Sequence, residues 1–91
     1  MKKTTTVLLR LKDRPEYTER WLRHNVYDCF QYIICDGSVE QENQKIVAPF
    51  LSANVKYIKS EPDKTVEKYI KKMVRACELI ETDFVIMADN D

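Results

Sequence analysis

The last residues of the chain carry two carboxylates in a spacing that suits metal binding. The apolar run from Phe84 to Ala88 is followed by Asp89, Asn90 and Asp91. In an extended chain, residues i and i+2 point to the same face, so Asp89 and Asp91 can offer oxygen ligands to one divalent cation. A Mg²⁺ or Mn²⁺ ion held in this way suits the chemistry of a diphosphate. Two carboxylates at a chain end can equally be a solvated tail, so the elements that position them decide the interpretation.

Four short segments have the composition of strands that are buried on both faces. They are rich in β-branched and aliphatic residues and cover 4–11, 31–35, 55–59 and 84–88. Helical patterns lie between them, over 14–25, from 38 to about 47, and from 63 or 65 to about 80. This βαβαβαβ alternation predicts a single α/β domain over residues 1–91 with a parallel sheet, because right-handed crossovers place the strands side by side.

Polar residues mark where the first two helices should begin. Asp13 with Glu16 three residues later is a capping-box pattern, and Ser38 with Gln41 repeats it before the second helix. Pro49 should kink or end that second helix, because proline cannot continue the hydrogen-bonded backbone. We therefore expect Asp13 and Ser38 to act as helix caps.

The third helix carries an apolar stripe at helical spacing. Its members are Val66, Ile70, Met73, Val74, Cys77 and Ile80. We expect this stripe to face inward, with the basic residues of the same helix on the solvated face.

The acidic residues gather at one edge of the predicted sheet. Asp13 follows the first strand, Asp36 follows the second, and Asp89 and Asp91 follow the fourth. Open α/β sheets bind ligands at the carboxyl ends of their strands, beside the point where the strand order reverses. With the strand order 3-2-1-4, that point lies between the first and fourth strands. The sequence therefore predicts a Rossmann-like open sheet with one ligand crevice.

Composition excludes several classes of function. Lys and Arg number 15, as do Asp and Glu, so no net charge attracts nucleic acid or an anionic membrane. No stretch has the length and apolarity of a membrane span or a signal peptide. Three cysteines without metal-ligand spacing indicate reduced thiols and a cytoplasmic protein. Gly37, which should supply the turn after the second strand, is the only glycine, so a glycine-rich phosphate loop is excluded.

In their order and spacing, these segments resemble the nucleotide-sugar-binding half of family 2 glycosyltransferases, which have the GT-A fold. The similarity spans 5–21, the sequence Ile-Ile-Cys-Asp-Gly-Ser over 33–38, the long third helix, and 84–91. The segment 84–91 looks like the DxD motif of that family. The resemblance implies a truncated GT-A domain that binds a nucleotide-diphosphate sugar, with a uridine diphosphate type favoured, together with Mn²⁺ or Mg²⁺.

The resemblance also implies roles for the acidic residues. Asp36 matches the family aspartate that accepts a hydrogen bond from the edge of the base. Asp89 matches the carboxylate near the ribose and the metal, and Asp91 matches the ligand of the metal on the diphosphate. The resemblance therefore implies that the carboxylates at the predicted sheet edge bind the nucleotide and the metal.

Further candidates for nucleotide binding lie in the first loop and the third helix. The loop that contains Arg10, Lys12 and Asp13 matches the family segment that lies along the nucleoside. Lys68, in the first turns of the third helix, is near the end that should face the crevice and could reach a phosphate. Two positions depart from the family pattern: Asp13 stands where asparagine is usual, and Cys35 stands where an aspartate is frequent.

Glycosyl transfer explains why such residues would be needed. The leaving group is a diphosphate, and a divalent cation neutralises the charge that develops on it as the anomeric bond breaks. An inverting enzyme also needs a general base for the acceptor hydroxyl. In the family that residue lies downstream of the DxD motif, so we expect no catalytic base within residues 1–91 and no turnover by the isolated chain.

Two other functions remain open. A response-regulator-like signalling module also holds Mg²⁺ at strand ends, but it needs an acidic pair after the first strand and a lysine after a fifth strand, and the sequence shows neither. A non-catalytic interaction domain would keep the architecture and bind neither nucleotide nor metal. With any of these functions, the free edge of the fourth strand should favour self-association.

Overall fold

The computed structural model describes residues 3–89 and contains an open sheet of four parallel strands. The strands are β1 (Thr5–Leu11), β2 (Gln31–Asp36), β3 (Val55–Lys59) and β4 (Phe84–Asp89). The helices are α1 (Pro15–Asn25), α2 (Glu42–Val47) and α3 (Val66–Glu78), and a 3₁₀ turn over Ala48–Phe50 follows α2. The strand order β3-β2-β1-β4 confirms the predicted α/β fold and topology.

Strand β1 pairs with both β2 and β4, so the order reverses beside it. In this register Arg10 lies opposite Cys35 on β2 and opposite Asp89 on β4. Paired residues of parallel strands point to the same side of the sheet. The side chains of Arg10 and Asp89 therefore meet at the carboxyl end of the sheet, at the reversal.

Helices cover the sheet on both faces. One buried cluster lies beneath α1 and α2 and consists of Val7, Leu9, Leu11, Leu22, Tyr32, Ile34, Val47 and Val55. The other lies beneath α3 and consists of Leu8, Ile33, Cys35 and Ala76. Alternation along β1 sends Leu8 to the α3 side and Leu9 to the α1 side, as expected of a strand that is buried on both faces.

The loop after β1 differs from the predicted capping box. Arg14 occupies the N-cap position of α1, and both Asp13 and Arg14 have left-handed backbone, with φ of 59° and 55°. The Asp13 amide donates to Ser38 Oγ (2.6 Å), and the Asp13 carbonyl accepts from Asn43 Nδ2 (2.8 Å). Left-handed backbone costs about 1–2 kcal/mol per residue, and these bonds help to offset that cost. The prediction that Asp13 caps α1 was wrong because its backbone is held from across the sheet edge.

Ser38 is also not a helix cap. Helix α2 begins at Glu42 after Gln41, whereas Ser38 is buried and only 1% exposed. The buried amide of Asn43 donates to Ser38 Oγ (3.0 Å), which also accepts from the Asp13 amide. Ser38 therefore satisfies buried polar groups of two other segments, a contact that spacing along the chain does not reveal.

Gly37 is needed for a close approach and not for a turn. Its φ is not in the left-handed region, so other residues could adopt this backbone. A Cβ at Gly37 would lie 2.3 Å from the carboxylate of Asp63. The Asp63 amide also donates to the Gly37 carbonyl (2.9 Å). The missing side chain lets the segment after β3 pack directly on the end of β2.

Helix α3 begins at one of the two positions that the sequence predicted. The hydroxyl of Thr65 accepts from the Lys68 amide (3.2 Å), which confirms Thr65 as the N-cap. Its predicted inward face was only partly right. Lys72 and Ala76 are buried against the sheet, while Val66 is 75% exposed.

The helix is therefore rotated away from its apolar stripe. Met73 and Ile80 pack against the core, but Ile70 and Val74 are each 52% exposed. The rotation brings Lys72 inward to an acidic partner described below.

Strand β4 is poorly covered on both faces of the sheet. Its residues 84–87 are 39% to 67% exposed and alternate between the two faces.

Candidate functional site

A cavity of about 580 Å³ opens where the strand order reverses. It is enclosed by the end of β1 with its loop, the segment before α3, the first turns of α3 and the end of β4. Its charged lining residues are Arg10, Lys12, Arg14, Lys64, Lys72, Asp63 and Asp89. The volume lies within the range of roughly 300–1,000 Å³ that is usual for small-molecule sites. Five cations and two carboxylates make the cavity suited to an anionic ligand.

Arg10 lies at the centre of the polar contacts in this cavity. Its Nη2 donates to Asp89 Oδ2 and its Nη1 donates to the hydroxyl of Tyr69, both at 2.8 Å. Burial lowers the pKa of Arg10, but the Tyr69 hydroxyl and the Asp89 carboxylate outweigh this effect and raise it. Among residues 3–89, no acceptor lies within hydrogen-bond distance of the buried Nε. The guanidinium therefore places a positive charge in the cavity, and its Nε donor has no partner among the described residues.

A buried ion pair closes the inner wall of the cavity. The ammonium of Lys72 binds Asp63 Oδ2, and the two side chains are 1% and 4% exposed. Lys72 Nζ also lies 3.5 Å from the Leu11 carbonyl, and Lys12 Nζ donates to the Asp63 carbonyl (2.9 Å). These contacts fix the segment before α3 against the end of β1. The same segment carries Lys64 to the cavity.

Sequence reasoning missed this ion pair. The sequence pattern predicts Asp63 as a possible helix start and places Lys72, like the other basic residues of the third helix, on the solvated face. Their separation along the chain crosses a helix start, so it matches neither the i,i+3 nor the i,i+4 spacing of helical pairs. The sequence predicts a turn at Gly37, whereas the structure shows that the missing side chain allows the close approach of Asp63.

The cavity brings together part of the predicted site. Arg10, Lys12 and Asp89, three of the residues predicted to bind the nucleotide, line it. The cavity lining does not include Asp13, Asp36 or Lys68. The predicted metal ligand Asp91 lies outside the described residues.

Asp36 is fully buried at the end of β2. Its Oδ1 accepts from the Ser38 amide (2.9 Å), and its Oδ2 accepts from the hydroxyl of Tyr57 (2.6 Å). Burial and the hydrogen bond to Asp36 raise the pKa of Tyr57. The carboxylate thus ties β3 and the loop after β2 to the strand end, and both of its oxygens are engaged.

Lys68 is paired at the surface. Its Nζ donates to Glu61 Oε2 (2.5 Å), with 42% of the lysine side chain and 73% of the glutamate side chain exposed. This bond raises the pKa of Lys68 and lowers the pKa of Glu61. A phosphate would have to compete with Glu61 for this lysine.

Asp89 fits a metal ion that arrives with a phosphate. Its side chain is 49% exposed and lines the cavity beside the cations. Within residues 3–89, no three His, Cys, Asp or Glu side chains lie close enough to hold a metal ion together. A Mg²⁺ ion at a diphosphate usually takes one or two protein carboxylates, because phosphate oxygens and water supply its other ligands. Asp89 can supply one such carboxylate, since the other carboxylate of the cavity lining, Asp63, is buried and paired with Lys72.

Comparison of the chain with protein-family models and with curated proteins gave no match. Among the residues that the structure describes, no helix has the length and apolar character needed to cross a membrane. The cavity at the end of β1 is thus the feature from which a function can be inferred.

Proposed function

We propose that this chain binds a nucleotide-diphosphate sugar and forms the donor-binding part of a metal-dependent glycosyltransferase. The observation that carries this proposal is the cationic cavity at the reversal of strand order, with the half-exposed carboxylate of Asp89 at its edge. Ligands of open α/β sheets bind at this point. The resemblance of 5–21, 33–38 and 84–91 to family 2 glycosyltransferases suggests which ligand this is.

The side chains of the cavity suit a diphosphate. Arg10, Lys12, Arg14 and Lys64 line it in addition to the buried Lys72. A guanidinium offers planar paired donors that match phosphate oxygens, and lysine offers a mobile positive charge. The chain has no glycine-rich loop to supply backbone donors, so these side chains would take over that function.

Asp89 and Asp91 would hold the Mn²⁺ or Mg²⁺ ion that accompanies the diphosphate. When bound, the cation would stabilise the negative charge of the leaving diphosphate. The residues of the chain would position the donor, with Arg10 and Lys64 at the phosphates. Recognition of the base by Asp36 would require one of its bonds, to Tyr57 or to Ser38, to be exchanged for a bond to the base.

A second candidate is an interaction domain that binds no nucleotide. It is favoured by the exposed apolar side chains on the outer face of α3 and on both faces of β4. Such surfaces often mark protein contacts. This candidate gives the opposite expectation for ligand binding, so one experiment separates the two.

The test is a thermal unfolding series with uridine diphosphate and MnCl₂. Binding to the folded state raises Tm, and the increase should grow with ligand concentration. Lys64→Ala, which alters the cavity lining, should reduce the increase, whereas Lys71→Ala, on the exposed Glu67–Lys71 pair, should not. Asp91→Ala should remove the part that depends on Mn²⁺.

Adenosine, guanosine and cytidine diphosphates serve as comparisons for the base. A Tm that no nucleoside diphosphate shifts, with millimolar Mn²⁺ or Mg²⁺ present, would overturn the proposal in favour of the interaction domain.

A further inference from the structure

The carboxylate of Asp89 is bound by Arg10 in the ligand-free protein. The Nη2–Oδ2 distance is 2.8 Å, and the two side chains are 26% and 49% exposed. Water screens an ion pair that is this open, so such pairs are weak and exchange readily. Because Arg10 already neutralises Asp89, a cation alone or a diphosphate alone should bind this site weakly.

The other side of the Arg10 guanidinium is held independently. Nη1 donates to the hydroxyl of Tyr69 on α3, and Tyr69 also lines the cavity. The Nε donor is buried and, within residues 3–89, has no acceptor. Arg10 therefore has an anchor in Tyr69, an exchangeable partner in Asp89, and an unused donor.

We propose that Arg10 is an exchangeable counter-ion of this site. It pairs with Asp89 in the free protein and binds the diphosphate in the loaded protein, which releases the Asp89 carboxylate to the divalent cation. This inference rests on the proposed function and deepens it, because it makes the binding of cation and diphosphate mutually dependent.

The reason is electrostatic. A cation that approaches Asp89 alone meets the positive charge of Arg10, and a diphosphate that approaches Arg10 alone meets the negative charge of Asp89. When both arrive together, each charged side chain exchanges one opposite charge for another. Neither charge is then left without a partner.

The decisive variant is Asp89→Asn, because the expected effects have opposite signs. Without metal, the substitution removes the competing carboxylate from Arg10. We expect affinity for uridine diphosphate in EDTA to rise by roughly 1.5-fold to fivefold, the range that corresponds to an exposed ion pair. With Mn²⁺ present, the same variant loses a metal ligand, so the gain in affinity that Mn²⁺ gives the unaltered protein should disappear.

The measurement is isothermal titration calorimetry of uridine diphosphate, in EDTA and in MnCl₂. Asp83→Asn is the matched control, since it makes the same change of charge at an exposed residue just before β4, at the opposite end of that strand. The control should leave both affinities near those of the unaltered protein. Circular dichroism verifies that each variant is folded.

A second measurement approaches the exchange from the side of the cation. Arg10→Gln should free Asp89, so Mn²⁺ alone should bind more tightly than to the unaltered protein, as followed by the electron paramagnetic resonance signal of free Mn²⁺. Unchanged Mn²⁺ binding in Arg10→Gln would overturn the inference.

The two proposals fail in different ways. If uridine diphosphate with Mn²⁺ binds the unaltered protein, but Asp89→Asn leaves the affinity in EDTA unchanged or lowers it, the counter-ion exchange is wrong and the donor site stands. If uridine diphosphate binds neither the unaltered protein nor Asp89→Asn under either condition, the donor site itself is wrong.

Discussion

The hydroxyl of Tyr57 on β3 donates a 2.6 Å hydrogen bond to Oδ2 of Asp36 at the end of β2. Asp36 is fully buried, so this donor is part of what makes a carboxylate tolerable inside the protein. The bond places Asp36 in the framework beneath the cavity.

Removing this donor should destabilise the fold. Tyr57→Phe leaves Asp36 with the Ser38 amide and without its hydroxyl partner, so we expect the free energy of unfolding to fall by about 1–3 kcal/mol in urea titrations. Tyr27→Phe is the control, because the Tyr27 hydroxyl bonds the His24 carbonyl on an exposed residue. Equal effects of the two substitutions would contradict a special role for the bond to Asp36.

Breaking the buried ion pair should cost more. Lys72→Met leaves the Asp63 carboxylate buried without a counter-ion, and we expect a loss of about 3–5 kcal/mol. Lys71→Met, which removes a lysine from an exposed pair with Glu67, should change stability by no more than about 1 kcal/mol. Chemical denaturation followed by circular dichroism measures both.

The same pair offers an internal check. Asp63→Asn added to Lys72→Met removes the unpaired charge, so the double variant should recover part of the loss. A double variant that is as unstable as the sum of the single ones would show that charge is not the cause.

Gly37 should not tolerate a side chain while Asp63 lies against it. Gly37→Ala places a Cβ 2.3 Å from the Asp63 carboxylate, so we expect a loss of about 1–3 kcal/mol from overpacking. In a background that carries both Asp63→Ala and Lys72→Met, the cost should shrink. The same cost in both backgrounds would locate the strain in the Gly37 backbone.

Stability should decline at alkaline pH. Burial raises the pKa of the Cys35 thiol from 9.0 to about 11, and burial with the Asp36 hydrogen bond raises the pKa of Tyr57. Because the unfolded chain releases these protons at lower pH, the stabilisation from Cys35 is complete below pH 9 and is lost as pH rises toward 11. Cys35 alone corresponds to roughly 2 kcal/mol over this window. The stabilisation from Tyr57 begins to fall only above pH 10, and its loss continues at higher pH.

Urea unfolding at a series of pH values measures that decline. Cys35→Ala should flatten it, whereas Cys77→Ala, at an exposed thiol, should leave its slope unchanged. A slope that Cys35→Ala does not alter would contradict the assignment.

The fold could be predicted because its determinants are local. Strand composition, turn spacing and the Thr65 cap each depend on a few neighbouring residues, and the βαβ alternation with right-handed crossovers then gives a parallel sheet with helices on its faces. The sequence predicts both Arg10 and Asp89 as nucleotide ligands, and the register of β1 with β4 in the structure places them opposite each other.

The rest depends on contacts between distant segments. The spacing predicts Ser38 as a helix cap, but its hydroxyl accepts hydrogen bonds from Asn43 Nδ2 and from the Asp13 amide. The apolar stripe of α3 predicts which face of the helix is buried, but Lys72 is buried instead because it pairs with Asp63, which precedes the helix. Such pairings have no periodic signature, because three-dimensional proximity and not spacing creates them.

The two partners at the cavity differ in how firmly the rest of the protein holds them. Arg10 belongs to β1, which is paired on both sides, whereas Asp89 belongs to β4, which pairs with β1 and leaves its residues 84–87 exposed. Few buried contacts mean low local stability, so β4 should open before the other strands and its amide protons should exchange with solvent first. A ligand that binds both residues would link β4, the least protected strand, to β1, the most protected one. Slower amide exchange along β4 would then report that the ligand has bound.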